Sequence, residues 1–460
     1  MELKIKKENL LIFLLITIFV LLVAYFLIVE FITANRIVLP ILISSIVATV
    51  IYFILNIFNH DKFVSKIYLV SILVHFCFIL FWQILKYHIL NLPLPTASNF
   101  SAYISDVDGI QYHYIGSYIA DNFNLNILSQ KYYGGLFSKL VATIYHFFGK
   151  NPFIVTCLHS IISSFVPILL YKISKTILNN YSLCRTYTLL CIFCTSYIVN
   201  TSVLIRDVYI VLFIYLSVYL SYKFYIFKNF IYLLLTLFSL YALYLFRPYA
   251  AFIVLISIFL TNIFVRLKSL HYKKGVLSAN KITVIMTALS PVLIVLFVAL
   301  ICYFANYMNM FSVEDLMELR ESGYTGSNSD YSWDFGSLYS ICPLLPFLIG
   351  YVCLTFAPFP WEWVFVKRLH FVPDMLILYT VLPSFFKNIK RVFKEKQYYL
   401  VCFIITIVIM FAIYSITVGN SGTIHRLRGP FIPMIYLIAM SRPDKFLSKI
   451  LNKIQKWRVI

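Results

Sequence analysis

The chain has 460 residues, of which 61% are hydrophobic and only 12% charged, and its mean hydropathy is +0.87. A soluble domain carries roughly 25% charged residues, so the composition excludes a water-soluble globular protein: too little polar surface is present to cover one. A formal net charge of +20, from 38 basic and 18 acidic residues, would suggest nucleic acid in a soluble chain. Here the Lys and Arg fall in short segments between apolar runs, as the positive-inside rule requires, and no nucleic-acid-binding motif accompanies them.

The chain begins Met1-Glu-Leu-Lys4-Ile-Lys6-Lys7 and enters an apolar run at 10–33. That run is too long for a signal-peptide core and lacks a small-residue cleavage site, so it reads as a retained first span with a cytoplasmic amino terminus. Membrane-length runs follow at 38–57, 67–90, 152–171, 184–203, 207–222, 229–246, 248–265, 282–306, 371–386 and 398–418, with a shorter one at 429–441. The expected fold is all-α: one polytopic integral membrane domain over residues 1–460, with about 12 transmembrane helices. This threading places Lys62 and Lys66, Lys172 and Lys175, Lys223 and Lys228, Arg266 to Lys274, Lys387 to Lys396 and Lys445 to Arg458 on the cytoplasmic side. The carboxyl terminus is cytoplasmic as well.

The run 339–357 is apolar enough to cross, yet a crossing there would put Lys387 to Lys396 outside. Residues 339–360, with Pro343, Pro346, Pro358 and Pro360, therefore read as a re-entrant or interfacial element. Two sizeable outer loops remain. One spans 91–150, with an amphipathic stretch at 134–150, and the other spans 307–338. Cys191 and Cys194 form a CxxC inside the run 184–203, where small buried side chains are the simpler reading than a redox or zinc site.

The outer segments hold the candidate chemistry. Asp106-Val-Asp108 with His113 could bind a divalent cation, act as a general base or orient a sugar hydroxyl. The same acids could instead cap a helix over 111–121, with Asp108 and Tyr112 on one face. Arg206-Asp207 sits at the outer end of a span, and Arg247-Pro248 at the tip of a tight two-span hairpin. An arginine near hydrocarbon calls for a partner or an anionic ligand. Gly419 to Pro430 holds His425, Arg426 and Arg428, on the side where the positive-inside rule disfavours them. Guanidinium forks bind phosphate bidentately. Trp361-Glu362-Trp363 combines stacking surfaces for sugars with a candidate acid or base. Glu314, Asp315, Glu318, Arg320 and Glu321 form a charged run in the second loop, before a Gly/Ser/Asn stretch at 322–329.

A polytopic chain with an acid in its first large outer loop (Asp108), outer arginines (Arg206, Arg247) and a late Arg-rich outer loop (Arg426, Arg428) resembles bacterial surface-polysaccharide membrane enzymes. It is similar to the Wzy-type O-antigen or capsule repeat-unit polymerases. It is also similar to the GT-C superfamily of polyprenyl-phosphosugar-dependent glycosyltransferases, whose catalytic Asp lies in the first outer loop, as Asp106 and Asp108 do here. The usual GT-C acidic pair is replaced by Asp-Val-Asp. The resemblance implies transfer of glycan from an undecaprenyl (di)phosphate carrier at the periplasmic face of a bacterial inner membrane. Asp106, Asp108 and Glu362 would be catalytic; Arg206, Arg247, His425, Arg426, Arg428, His113 and Trp361 would bind substrate. It implies no certain cofactor beyond a candidate divalent cation. The partners it implies are the lipid-linked glycan, membrane lipids, and a chain-length regulator or other assembly proteins. A lipid-linked oligosaccharide flippase is the competing class; it predicts mid-depth charges and internal repeats, and no repeat is found. No channel filter or nucleotide-binding loop is present.

Overall fold

A computed structural model describes residues 12, 14–25, 38–59, 61–89, 107–178, 180–272, 345–362, 371–395, 397–417 and 421–456. The calls at Asp106, at the span 282–306, at the second loop 307–338 and at Trp363 lie outside these residues. Among the described residues every element is helical. In chain order they are α1 (Leu14–Tyr25), α2 (Val38–Phe58), α3 (Phe63–Ile89), α4 (Val107–Asp121), α5 (Leu125–Ser129), α6 (Leu136–Phe148), α7 (Pro152–Ser163), α8 (Phe165–Ser174), α9 (Tyr181–Ile192), α10 (Thr195–Ser202), α11 (Asp207–Phe227), α12 (Phe230–Phe246) and α13 (Pro248–Tyr272). After the second undescribed stretch come α14 (Leu345–Phe356), a 3-10 turn (Pro360–Glu362), α15 (Val372–Glu395), α16 (Tyr398–Thr417), α17 (Ser421–Arg428), α18 (Ile432–Ser441) and α19 (Lys445–Lys456).

Six helical spans among the described residues are long and apolar enough to cross a membrane, with α7 and α8 together making one of them, or seven if the bent pair α9–α10 also counts as one. The chain is thus a polytopic membrane protein, and the described residues hold fewer qualifying spans than the sequence predicts. Part of the difference has a physical reason. The run 371–386 belongs to a 24-residue helix, α15, that continues through the basic stretch to Glu395. It buries the stripe Met375, Leu378, Val381, Leu382, Phe385 and Val392, the three- and four-residue spacing of an amphipathic helix that packs on a core. The run 184–203 breaks into α9 and α10, which meet at 50°. At the break, Asp374 of α15 accepts from the backbone N–H of Thr195 (2.8 Å) and Ser196 (2.5 Å). It thereby caps the start of α10 in the interior, where water cannot satisfy those donors.

α18 is apolar all round and buried from Ile432 to Met440, as a helix with no solvent face should be. Backbone carbonyls at its two ends accept from buried side chains. Tyr215 and Tyr187 donate to the carbonyls of Pro430 (2.6 Å) and Pro433 (3.0 Å) at its start. Asn388 donates to those of Ile438, Ala439 and Arg442 at its end. α14, in the middle of the expected re-entrant element, covers 12 described residues. It lies against α16 so closely that a Cβ on Gly350 would fall 2.2 Å from the Ser415 carbonyl oxygen.

Connectivity gives the bundle two distinct ends. α11 leaves one end at Asp207, turns at Lys228, and α12 brings the chain back to Arg247. α16 starts at the far end, where the Tyr398 hydroxyl meets Ser221 and Asn262, and finishes at the near end, with Tyr414 6.1 Å from Tyr249 ring to ring.

Candidate functional site

The near end gathers charge from four elements. Asp207 opens α11 and Asp108 lies in the first turn of α4. Arg247 caps the carboxyl end of α12, and Arg426 lies in the last turn of α17. Acids at helix amino ends and cations at carboxyl ends both complement the helix dipole. Arg247 Nη2 donates to Asp207 Oδ1 at 3.0 Å. Arg426 bridges the two acids, its Nε to Asp207 Oδ2 and its Nη1 to Asp108 Oδ2, the latter at 2.5 Å. Side-chain exposure rises along this chain of contacts, from 2% for Asp207 and 6% for Arg247 to 16% for Arg426 and 26% for Asp108. The network is therefore dry at Asp207 and open at Asp108. Arg206 adds its field to both carboxylates. Its buried Nε has no hydrogen-bond partner among the described residues.

A second loop element completes the open side. The Tyr133 hydroxyl donates to Asp108 Oδ1 at 2.5 Å. Tyr133 stacks on Tyr112 of α4, with ring centroids 5.5 Å apart. It is presented by the turn at Gly134 (φ +78°) and Gly135 (φ +57°) that opens α6. A Cβ on Gly134 would lie 2.2 Å from the Tyr112 ring, so both the backbone angle and the space call for glycine. Burial raises the Asp108 pKa, but the charge of Arg426, hydrogen bonds from Tyr133 and Arg426, and the charge of Arg206 outweigh it. The net shift is downward, so Asp108 is an ionised acceptor. Burial and the bond to Asp108 push the Tyr133 hydroxyl up, which keeps it a donor.

The other predicted residues sit elsewhere. Arg428 is buried two residues beyond Arg426 and points into the bundle. It donates to the carbonyls of Leu354 (3.1 Å) and Ala357 (2.7 Å), at the carboxyl end of α14, and meets Met375 Sδ at 3.0 Å. His425 lies 3.0 Å from Arg428 Nη2 through Nδ1 and stacks on Phe371. Glu362 is buried and accepts from the Phe359 N–H at 2.8 Å, closing its own 3-10 turn. Trp361 is 72% exposed and stacks on Phe359 at 4.8 Å. His113 faces Tyr145 (2.9 Å) on the α6 side of α4, and burial followed by Lys150 lowers its pKa. The structure thus joins Asp108, Arg247 and Arg426, keeps Arg206 beside them, and places Arg428, His425, Glu362, Trp361 and His113 in other contacts.

Sequence reasoning named Asp207 only as the neighbour of Arg206 in an ionisable pair at a span end, and it did not single out Tyr133 or Asp374 as site or framework residues. Asp207 and Asp374 carried a usable signal, because an ionisable residue inside an apolar run is a functional or pairing residue by default. Tyr133 is one of 36 tyrosines and carried none. Among the described residues no group of three His, Cys, Asp or Glu side chains is arranged to hold a metal ion. No family model, curated protein or solved structure matches this chain.

Proposed function

We propose that the protein is a surface-polysaccharide assembly enzyme of a bacterial inner membrane, with about 12 spans and both termini cytoplasmic. It transfers glycan from an undecaprenyl (di)phosphate carrier at the periplasmic face. The reading that fits best is an O-antigen or capsule repeat-unit polymerase, and a GT-C-type transferase using a polyprenyl phosphosugar shares its chemistry. The observation that carries the proposal is the graded network of Arg247, Asp207, Arg426 and Asp108 at one end of an apolar bundle, open at Asp108 and Arg426, with the charge of Arg206 beside it. Among the described residues, three guanidinium groups against two carboxylates leave one positive charge for an anionic substrate group. A polyprenyl tail has apolar helices beside it, and its phosphate has Arg206 and Arg426 to meet.

In the proposed reaction a sugar hydroxyl of the acceptor attacks the anomeric carbon of the donor. The new glycosidic C–O bond forms as the bond from that carbon to the phosphate oxygen breaks. The hydroxyl proton passes to Asp108, and the leaving carrier phosphate takes the electron pair with its charge stabilised by arginine. Asp108 paired with Arg426 is a weak base. A phosphate that recruits Arg426 frees that carboxylate and raises its basicity, so base strength rises only with substrate in place. The bend between α9 and α10 favours one second reading, a lipid-linked oligosaccharide flippase, because broken helices are a transporter feature.

The test is the surface lipopolysaccharide or capsule ladder after gene deletion, complemented with wild type, Asp108→Ala or Arg206→Gln at equal membrane levels. A collapse to one repeat unit on the lipid core, unrescued by either variant, supports polymerase chemistry at this network. An intact ladder with altered sugar content points to a single-sugar transferase. Loss of all surface repeats with precursor trapped inside makes the protein a flippase and sinks the catalytic reading.

A further inference from the structure

The far end of the bundle carries a feature that the charge network does not use. α19, KFLSKILNKIQK, has no acidic residue. Leu447 and Leu451, one turn apart, are buried and fix one face to the bundle, where the helix meets α9 and α15. Lys445, Lys449 and Lys453 recur every fourth residue on another face and are exposed. Ser448 and Asn452 lie beside this row. Together with Pro443 these residues line a shallow, open groove along this one helix. Between the lysine row and the anchored face, Phe446 and Ile454 present exposed apolar side chains. Around a helix at 100° per residue the order is therefore anchor, exposed apolar, cationic and hydroxyl/amide.

We propose that α19 is a lipid-headgroup site that holds the phosphate of an anionic phospholipid, with Phe446 and Ile454 against its acyl chains. The occupant is an amphiphile because the lysine row borders an exposed apolar stripe, which a free phosphate would leave uncovered. It is anionic because the groove holds three ammonium groups and no carboxylate. The location agrees. α18 delivers the chain to the far end, where Arg442 meets Glu395 at 3.2 Å, and the basic turn at Lys223 and Lys228 lies at the same end. That end is the one a positive-inside chain sets against an anionic leaflet.

The proposal is tested on the full chain in a neutral detergent by native mass spectrometry, titrating phosphatidylglycerol or phosphatidylcholine. We expect retention of phosphatidylglycerol over phosphatidylcholine, weakened by salt. Lys445→Gln/Lys449→Gln/Lys453→Gln should weaken it on the order of 100-fold, from the roughly tenfold-or-less contribution of each surface lysine. The triple Lys→Arg variant should retain it, and both variants should melt with wild type. Equal retention of the two lipids, or a triple Gln variant that binds like wild type, overturns the proposal. Displacement of the lipid by millimolar glycerol phosphate would also overturn it, making the site one for soluble phosphate.

Discussion

At the scale of single residues, the charge network separates two kinds of acid. Asp207 is dry and holds two arginines, so Asp207→Ala leaves both without their shared counter-charge. A loss of about 3–5 kcal/mol is expected for breaking such a buried pair, read as a large drop in melting temperature in detergent. Arg206→Gln is the complementary variant. Arg206 makes no ion pair among the described residues and acts on the two carboxylates only through its field, so Arg206→Gln should cost less stability than Asp207→Ala while substrate affinity falls. The polysaccharide ladder would shorten with the fold intact. A melting loss as large as that of Asp207→Ala would assign Arg206 to the framework. At the far end, Asp61 is raised by burial but lowered more by bonds from Lys175, Tyr171, the Phe63 N–H and Tyr181, to about 2. A depressed carboxylate stabilises the fold fully above its unfolded pKa near 3.9 and loses that contribution as pH falls through the folded value. The difference in melting temperature between wild type and Asp61→Asn should therefore be constant from pH 7 to 5 and shrink between about pH 4 and pH 2.

At the scale of elements, two junctions carry the site. The first is the Gly134 turn, which aims Tyr133 at Asp108. Gly134→Ala adds a Cβ at 2.2 Å from Tyr112 with φ at +78°, and a positive φ alone costs a non-glycine residue about 1–2 kcal/mol. The α4–α6 unit should loosen, read as faster proteolysis between 122 and 136, with activity lost alongside. Tyr133→Phe removes only the hydroxyl, so it should leave proteolysis unchanged and reduce transfer. The second junction is the α9–α10 break. Asp374→Ala strips the acceptor from the buried Ser196 N–H and the half-buried Thr195 N–H, and a buried group left unsatisfied costs about 1–3 kcal/mol. A variant that melts like wild type would show that the break does not depend on this cap.

At the scale of the whole molecule, the bundle is polarised. Arg206, Arg247 and Arg426 share one end with Asp108 and Asp207, while Lys223, Lys228, Arg442 and α19 share the other. Topology reporters fused after Lys228 and after Arg247 should therefore report opposite sides of the membrane, with the Lys228 side cytoplasmic. The same side for both would sink the hairpin assignment of α11 and α12. On the proposed function, this polarity would set the two phosphate-binding surfaces against different leaflets.

Composition by itself determined that this is a helical membrane protein, because a chain with 12% charge cannot cover a soluble surface. The placement of its lysines foretold the two ends. The span boundaries at 38–57, 207–222, 248–265 and 398–418 were legible for the same reason, since length and apolarity are local properties. Partnership was not. Arg426 and Arg428 are neighbours in sequence and seem equivalent, but two residues along a helix turn about 200°. One therefore enters the charge network and the other caps α14. Asp108 and His113, five residues apart, diverge similarly. Asp207 meets Arg426 across 219 positions, and Asp374 meets Thr195 across 179. Such contacts follow from how helices pack, so only the tertiary structure decided which acids and arginines form the site and where the run 184–203 breaks.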